Sequence, residues 1–516
     1  MMKLKSQGRF HLPLLVGGLS LSLAAVAGMV IGLPGSPDTL SPDDVPYYAL
    51  PFGPGADGEE RPFWPSRLAT EGNLLAVADT LPASGDCAGC HRQEYLEWAP
   101  SLHGIADRDA VYEKTVEANE DLLRHGVEQG RFCEGCHAPN ELIAGRVTKL
   151  ASVAPGPASA DGVSCLACHA AVHADPQTGN GALTLRIAGL GGDPADLALL
   201  AAPRDHADRW GSAATKALIG KSELCAACHT ENYDPSMSKA TTPQDVQSTY
   251  AEWQASWYAD QGVTCQDCHM APDPAAQVLA LRQGRVAKPD RYSHAFVGAN
   301  YLMFETGLGE TLTFLRGGTI PGLTEAEADG AIVAQREATH ALLRAAAGLE
   351  LRSVRADDSG LRLDIAVQNL GAGHNLPTGV SDQKHMWLEV EVQDAGGSVI
   401  YRSGGFDAAA GVTDPDAVMW IEQFLDGKGE VIPNHLTFAT AEVKWVRRAI
   451  PAKGEEVVGY DIPLPSGTSG PLHMKARLWY RVALQDLVYQ NLRLETPVPP
   501  FALAELDLTL PDEALK

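Results

Sequence analysis

Several things are scarce in this chain of 516 residues. Basic residues fall well short of acidic ones, 40 against 65, for a formal charge of −25. That deficit argues against a nucleic-acid-binding role, which needs a basic footprint. It permits steering toward a basic partner and serves solubility equally well. Aromatic residues make up only 6% of the chain, so side chains alone supply little bulky core. No cysteine follows Cys268, so any thiol chemistry is confined to the N-terminal part of the chain. There is no phosphate-cradling glycine loop, no Ser-His-Asp arrangement and no paired carboxylate spacing suited to acid–base work, and no catalytic residue is assigned. What is present is 45% hydrophobic and 20% charged, as in a folded soluble protein, with a length that calls for two or more domains. The 51 glycines and 34 prolines point to many loops and few long helices.

The ten cysteines are all used in one pattern, Cys-x-x-Cys-His, repeated five times. The copies are Cys87/Cys90/His91, Cys133/Cys136/His137, Cys165/Cys168/His169, Cys225/Cys228/His229 and Cys265/Cys268/His269. A zinc ribbon has no use for a histidine after every pair. A thioredoxin-type motif occurs once, and a disulfide framework does not require this regularity. The pattern is the attachment signature of c-type haem: two thiols bond the porphyrin vinyl groups and the adjacent histidine becomes the proximal iron ligand. Five covalent haems are therefore expected, and they would supply core that the aromatic content does not.

The chain is expected to be α+β, with a mainly helical, loop-rich multihaem domain followed by an antiparallel β-sandwich. Residues 1–33 carry Lys3, Lys5 and Arg9 ahead of an uncharged stretch from Leu12 to Leu33. They read as an export signal, either cleaved near Ala25-Val26-Ala27 or retained as a membrane anchor, leaving the rest periplasmic or otherwise extracytoplasmic. Residues 34–83 form an extended, proline-rich wrapping segment with a short helix over 68–78. The haem domain spans 84–309, with helices expected at 93–98, 109–129 and 249–258 and a loop or short hairpin at 179–203. A helical connector covers 310–349, with helical periodicity from Glu325 to Ala347. The sandwich covers 350–516, with alternating strands at 361–368, 387–393, 398–402, 443–450, 456–462 and 472–482, a hairpin turn at Asp394-Ala395-Gly396-Gly397 and a C-terminal tail.

Five irons call for up to five further ligands. Of the histidines outside the motifs and the signal, His103, His173, His206, His294 and His374 are the candidates, because each lies in a loop or just beyond an attachment site. His125, His340, His385, His435 and His473 are read as ordinary, with His125 the first exception to consider. Met237 is a secondary candidate, whereas Met270 adjoins a proximal histidine and cannot easily reach over the same iron.

Cys87-x-x-Cys90-His91 followed by Glu94-Tyr95, Trp98 and Ser101-x-His103 resembles the opening of the cytochrome c-554 family. Phe132-Cys133 through Pro139, Gly162-Val163-Ser164-Cys165 and Gly262-Val263-Thr264-Cys265 through Met270 are similar to that family's later sites. The resemblance implies stacked haems, mostly with two histidine ligands, and places distal ligands at His103, His294 and His374. It also implies electron transfer between redox-partner proteins. Two other readings stay open. One is a multihaem oxidoreductase with one open iron acting on a small nitrogen or sulfur compound. The other is a subunit of an oligomeric or respiratory electron-conducting assembly. Five attachment sites rather than four, and the added sandwich, set the chain apart from the family's type member.

Overall fold

The computed structural model describes residues 63–73, 81–107, 109–112, 130–144, 161–187, 212–233, 241, 243–309, 320–357, 360–407, 411–412, 414–432, 440, 442–485, 488 and 495–510. The signal or anchor, most of the wrapping segment and most of the helix expected over 109–129 lie outside these residues. Among the described residues no helix is long and apolar enough to cross a membrane.

The N-terminal half consists of short elements. Strand β1 (Ala69–Thr70) leads into a single 3-10 turn at Glu71–Asn73. The short helix expected over 68–78 is thus not formed in its described part. Ala69 and Thr70 instead pair in parallel with Thr184 and Leu185, which satisfies their backbone across the chain. Helices α1 (Ser84–Cys87), α2 (Arg92–Trp98), α3 (Gly130–His137), α4 (Pro139–Ile143) and α5 (Cys165–His169) follow. Strands β2 (Ala171–Ala174) and β3 (Leu183–Leu185) pair antiparallel beside β1. Helices α6 (Ala213–Leu218) and α7 (Ser222–Ala226) precede the small ladder of β4 (Glu231–Tyr233) and β5 (Gln244–Gln247).

The helix expected over 249–258 is two helices, α8 (Thr249–Gln254) and α9 (Trp257–Asp260). Ser256 takes an extended conformation between them (φ −97°, ψ 159°). The Ser256 side chain makes no capping hydrogen bond, so the break lies in the extended backbone itself. Helices α10 (Cys265–His269) and α11 (Pro274–Arg282) complete this half, the second opened by the Asp273 side chain and a proline in its first turn.

The long helix α12 (Glu325–Ala346) starts at a capping box. The Thr324 amide donates to Glu327 at 2.9 Å, and the Glu327 amide donates back to the Thr324 hydroxyl at 3.3 Å. The helix runs without a loop into β6 (Ala347–Asp357). Strands β7 (Gly360–Asn369), β8 (His385–Gln393), β9 (Val399–Ser403), β10 (Phe406–Asp407), β11 (Gly411–Val412), β12 (Val418–Trp420), β13 (Glu422–Leu425), β14 (Lys444–Arg447), β15 (Glu455–Ile462), β16 (Leu472–Arg481) and β17 (Phe501–Leu510) follow.

Two antiparallel sheets dominate this half. One has the order β15-β7-β6, and the other runs β12-β8-β16-β17 with β9 also on β8. Their inner faces share one apolar cluster, in which Leu361, Leu363, Ile365 and Val367 of β7 meet Met386, Leu388, Val390 and Val392 of β8. Each such side chain contributes roughly 1.5–3 kcal/mol when fully buried. Tyr301, Leu302, Leu308 and Leu343 join the same cluster, so the segment after the fifth motif and α12 are packed into the sheets.

This half also departs from the sequence reading, beginning with the short strands β10 to β13, none of which was expected. Strand β6 continues the connector helix where no strand was expected. Strand β17 stands where a tail was expected, zipped along β16 from Leu472–Leu510 to Tyr480–Phe501. Strand β14 pairs only with β13, in a separate two-stranded sheet, so the strand expected over 443–450 is no part of the main sheets. The protein is α+β.

Candidate haem-binding sites

Each described attachment motif sits on or at the end of a short helix, so its two cysteines, three positions apart, share a face. The same positioning device occurs twice. The Ser84 hydroxyl, three residues before Cys87, accepts the Cys165 amide at 3.1 Å. The Ser222 hydroxyl, three residues before Cys225, accepts the Cys265 amide at 3.1 Å. In each case a tryptophan from an earlier helix secures the approach to the second motif. The Trp98 indole donates to the Val163 carbonyl at 2.9 Å, and the Trp253 indole donates to the Val263 carbonyl at 2.9 Å. Gly162 and Gly262, one residue earlier, both take positive φ, 49° and 70°. Sites one and three are thus joined as sites four and five are. Ser84, Ser222, Trp98 and Trp253 escaped the sequence reading as positioning residues, although serine at that fixed offset, twice, was a usable signal.

The proximal imidazoles of the second and fifth motifs are half-buried and oriented. His137 Nδ1 lies 2.9 Å from the Ala106 carbonyl, and His269 Nδ1 lies 2.7 Å from the Val297 carbonyl. A carbonyl only accepts, so Nδ1 carries the proton and Nε2 keeps its lone pair for a metal. Desolvation by the surrounding protein draws the pKa of both down. Neutral imidazole is the ligating form.

Three of the five candidate second ligands lie opposite proximal histidines. His103 faces His229 at 6.1 Å between ring centroids, His294 faces His169 at 6.2 Å, and His374 faces His269 at 6.3 Å. An imidazole nitrogen sits about 2 Å from a ligated transition metal, so two imidazoles on opposite faces of one iron stand with centroids roughly 6 Å apart. The three pairs have the separation that one shared iron requires, and the donor set fits haem c.

His103 and His294 are held by neighbours distant in sequence, and the turn that carries His374 is anchored both locally and from α8. The His103 carbonyl accepts the Val163 amide at 2.8 Å, and the ring meets Phe296 edge-on at 4.5 Å. The His294 amide donates to Glu97 at 2.8 Å, and Glu97 also pairs with Arg291 at 2.6 Å. Burial raises the Glu97 pKa, but these partners outweigh it and the net shift is downward. His374 Nδ1 donates to the Asn375 carbonyl at 2.9 Å, and the Asn369 amide group holds the His374 carbonyl at 2.8 Å. Glu252 accepts from the Asn375 amide at 3.1 Å and from the Thr378 hydroxyl at 2.6 Å, and is itself paired with Arg447.

The remaining candidates differ. His173 is exposed on β2, where Asp175 is its charged neighbour, and the described residues bring it to no proximal imidazole. His206, His125, His435 and Met237 lie outside the described residues. At His137 the stacked ring is Tyr112, with centroids 4.2 Å apart. The histidines read as ordinary have ordinary surroundings: His340 pairs with Glu305 at 2.7 Å, and His473 meets the Thr509 hydroxyl at 3.2 Å. His385 is held neutral by burial, its pKa brought down to about 4.

His103 and His229 each lie within electrostatic reach of His137 and His269, and His91 lies within reach of His169 and His294. Cysteines of different motifs also meet, Cys87 with Cys165, Cys136 with Cys228 and Cys225 with Cys265.

Thiol pairs on short helices, each followed by an imidazole and packed against one another, define a multihaem c-type cytochrome, an electron-transfer protein carrying haem c. Residues 86–170 match the family model described as cytochrome c554 and c-prime. The chain's fold is similar to the crystal structure of a penta-heme cytochrome c552 from Thermochromatium tepidum. The identity is 19% and the TM-score 0.50, with 83% of this chain and 99% of that chain covered. No curated protein matches the chain.

Proposed function

We propose that the chain is an exported pentahaem electron carrier that passes electrons between respiratory redox partners through mostly bis-histidine haems. Its ten cysteines would hold five haems, and the similar T. tepidum cytochrome is likewise a penta-heme protein. His91, His137, His169, His229 and His269 would be the proximal ligands, with His103 completing site four, His294 site three and His374 site five. When bound, haem c supplies reversible one-electron chemistry. The protein's part is to hold the sites close together, exclude water and tune each site through ligand, burial and hydrogen bonds. The observation that carries this reading is the spacing of the three imidazole pairs, 6.1–6.3 Å.

Contacts between motif cysteines support an order in which site one adjoins site three, site two adjoins site four, and site four adjoins site five. We further propose that residues 84–309 form the haem domain and that the sheets of 350–516 cap it and supply His374. The basic, apolar N-terminus supports export to the periplasm, with the protein either released or tethered. The intact mass and pyridine haemochrome of the purified protein test the count: five haems per chain is expected, and a colourless or zinc-loaded protein would overturn the proposal.

A further inference from the structure

The distribution of charge around the fifth site differs from that of the whole chain. Between Pro274 and Tyr292 the sequence holds Arg282, Arg285, Lys288 and Arg291 against a single acid, Asp290, in a protein of formal charge −25. Arg282, Arg285 and Lys288 are exposed, as is every residue from 282 to 288. The loop is folded back on its own helix. The Arg285 amide donates to the Ala280 carbonyl at 3.0 Å, and the Gln277 side chain donates to the Ala287 carbonyl at 2.6 Å. This brings the loop's Val286 back along α11, which carries Leu279. Both are large apolar side chains, 45% and 46% exposed. Leu279 shares the outer face of α11 with Arg282, three positions on. Exposed apolar side chains and exposed cations, with arginine prominent, thus occur together on α11 and its loop, the composition of a protein-docking patch.

The patch lies directly against the fifth attachment motif. Lys288 Nζ is 3.8 Å from the Asp267 carboxylate, between Cys265 and Cys268, and the Tyr292 hydroxyl donates to the same carboxylate at 2.7 Å. At its other end Arg291 is tied to Glu97 of α2, which holds His294.

Resting on the multihaem reading above, we infer that the surface formed by Leu279, Arg282, Arg285, Val286 and Lys288 is the docking site for an acidic electron-transfer protein, which exchanges electrons at the fifth site. Its charge complements an acidic partner, whereas a symmetric dimer of this chain would set patch against patch and like charge against like, so that occupant is disfavoured. The local field draws in an anionic partner that the remainder of the molecule repels. Encounters of this kind are small, salt-sensitive and brief.

The test uses the holoprotein. Reduced protein is mixed with ferricyanide, an anionic oxidant, over a range of ionic strength, and binding of an acidic flavodoxin is measured by calorimetry. Repulsion by the net charge alone would make ferricyanide oxidation speed up with salt. Steering at the patch makes the fast phase slow down with salt. In Arg282→Glu/Arg285→Glu/Lys288→Glu the slope reverses and flavodoxin binding weakens about tenfold or more. In Lys428→Glu/Lys475→Glu/Arg362→Glu, with the same change in net charge elsewhere, both stay as in the parent. Unchanged behaviour in the first variant, equal effects in the two variants, or no flavodoxin binding to the parent would overturn the inference. So would sedimentation with anionic phosphatidylglycerol vesicles, lost in the first variant, without a change in redox slope. Haem content and absorbance spectra, recorded for every protein, report separately on the multihaem reading.

Discussion

Replacing His374 is the most searching perturbation. Its ring stands 6.3 Å from that of His269 with the planes 7° apart, and the described residues bring no other imidazole to that face of His269. Its backbone is secured by the Asn369 side chain, and its neighbour Asn375 by Glu252, so removing the ring leaves the turn anchored. His374→Ala therefore vacates one axial position without dismantling its surroundings. One haem of the proposed five should become high-spin and open to cyanide, seen as about one fifth of the ferric electron paramagnetic resonance intensity. His374→Met should restore a low-spin iron at a higher potential, shifted on the order of 0.1 V within the roughly 0.8 V that axial ligands command. Potentiometric titration followed by absorbance would resolve it as one component leaving its place in the series. If His374→Ala keeps every iron low-spin and unreactive, the pairing of His374 with His269 is wrong.

Other consequences can be checked alongside. His103→Ala should open the fourth site in the same way, whereas His173→Ala should leave all ferric signals as they are, since that side chain is exposed on β2. Leu388→Ala, at a side chain with no exposure in the shared core of the two sheets, should cost roughly 2–5 kcal/mol in chemical denaturation, provided unfolding is reversible. Glu422 bears on pH dependence. Burial raises its pKa from 4.5 to about 7, against the opposing influence of Arg447. Folding thus favours the protonated acid. Its contribution is complete below 4.5 and is lost as pH rises through about 7. Glu422→Gln should therefore gain thermal stability relative to the parent at about pH 8 and show little difference at about pH 4. An equal shift at both would refute the assignment.

The cofactor was legible in the chain because haem attachment is local chemistry: two thiols and a histidine within five consecutive residues carry the whole instruction. Alternation did the same for β7, β8, β15 and β16, whose apolar faces are written at every second position. Strand β6 was hidden because the helical pattern runs into it without a turn, and Ser256 divided a helix that periodicity alone read as continuous. The imidazole pairs are a different kind of information. His103 and His229, His169 and His294, and His269 and His374 are each separated by about a hundred positions or more, and a single imidazole in a loop has no local sign of the ring it faces. The resemblance to a family pointed to His103, His294 and His374 as distal ligands, but not to the motif that each one completes. Only packing brings each pair of rings within a few ångströms, through long-range contacts at Val163, Glu97 and Glu252.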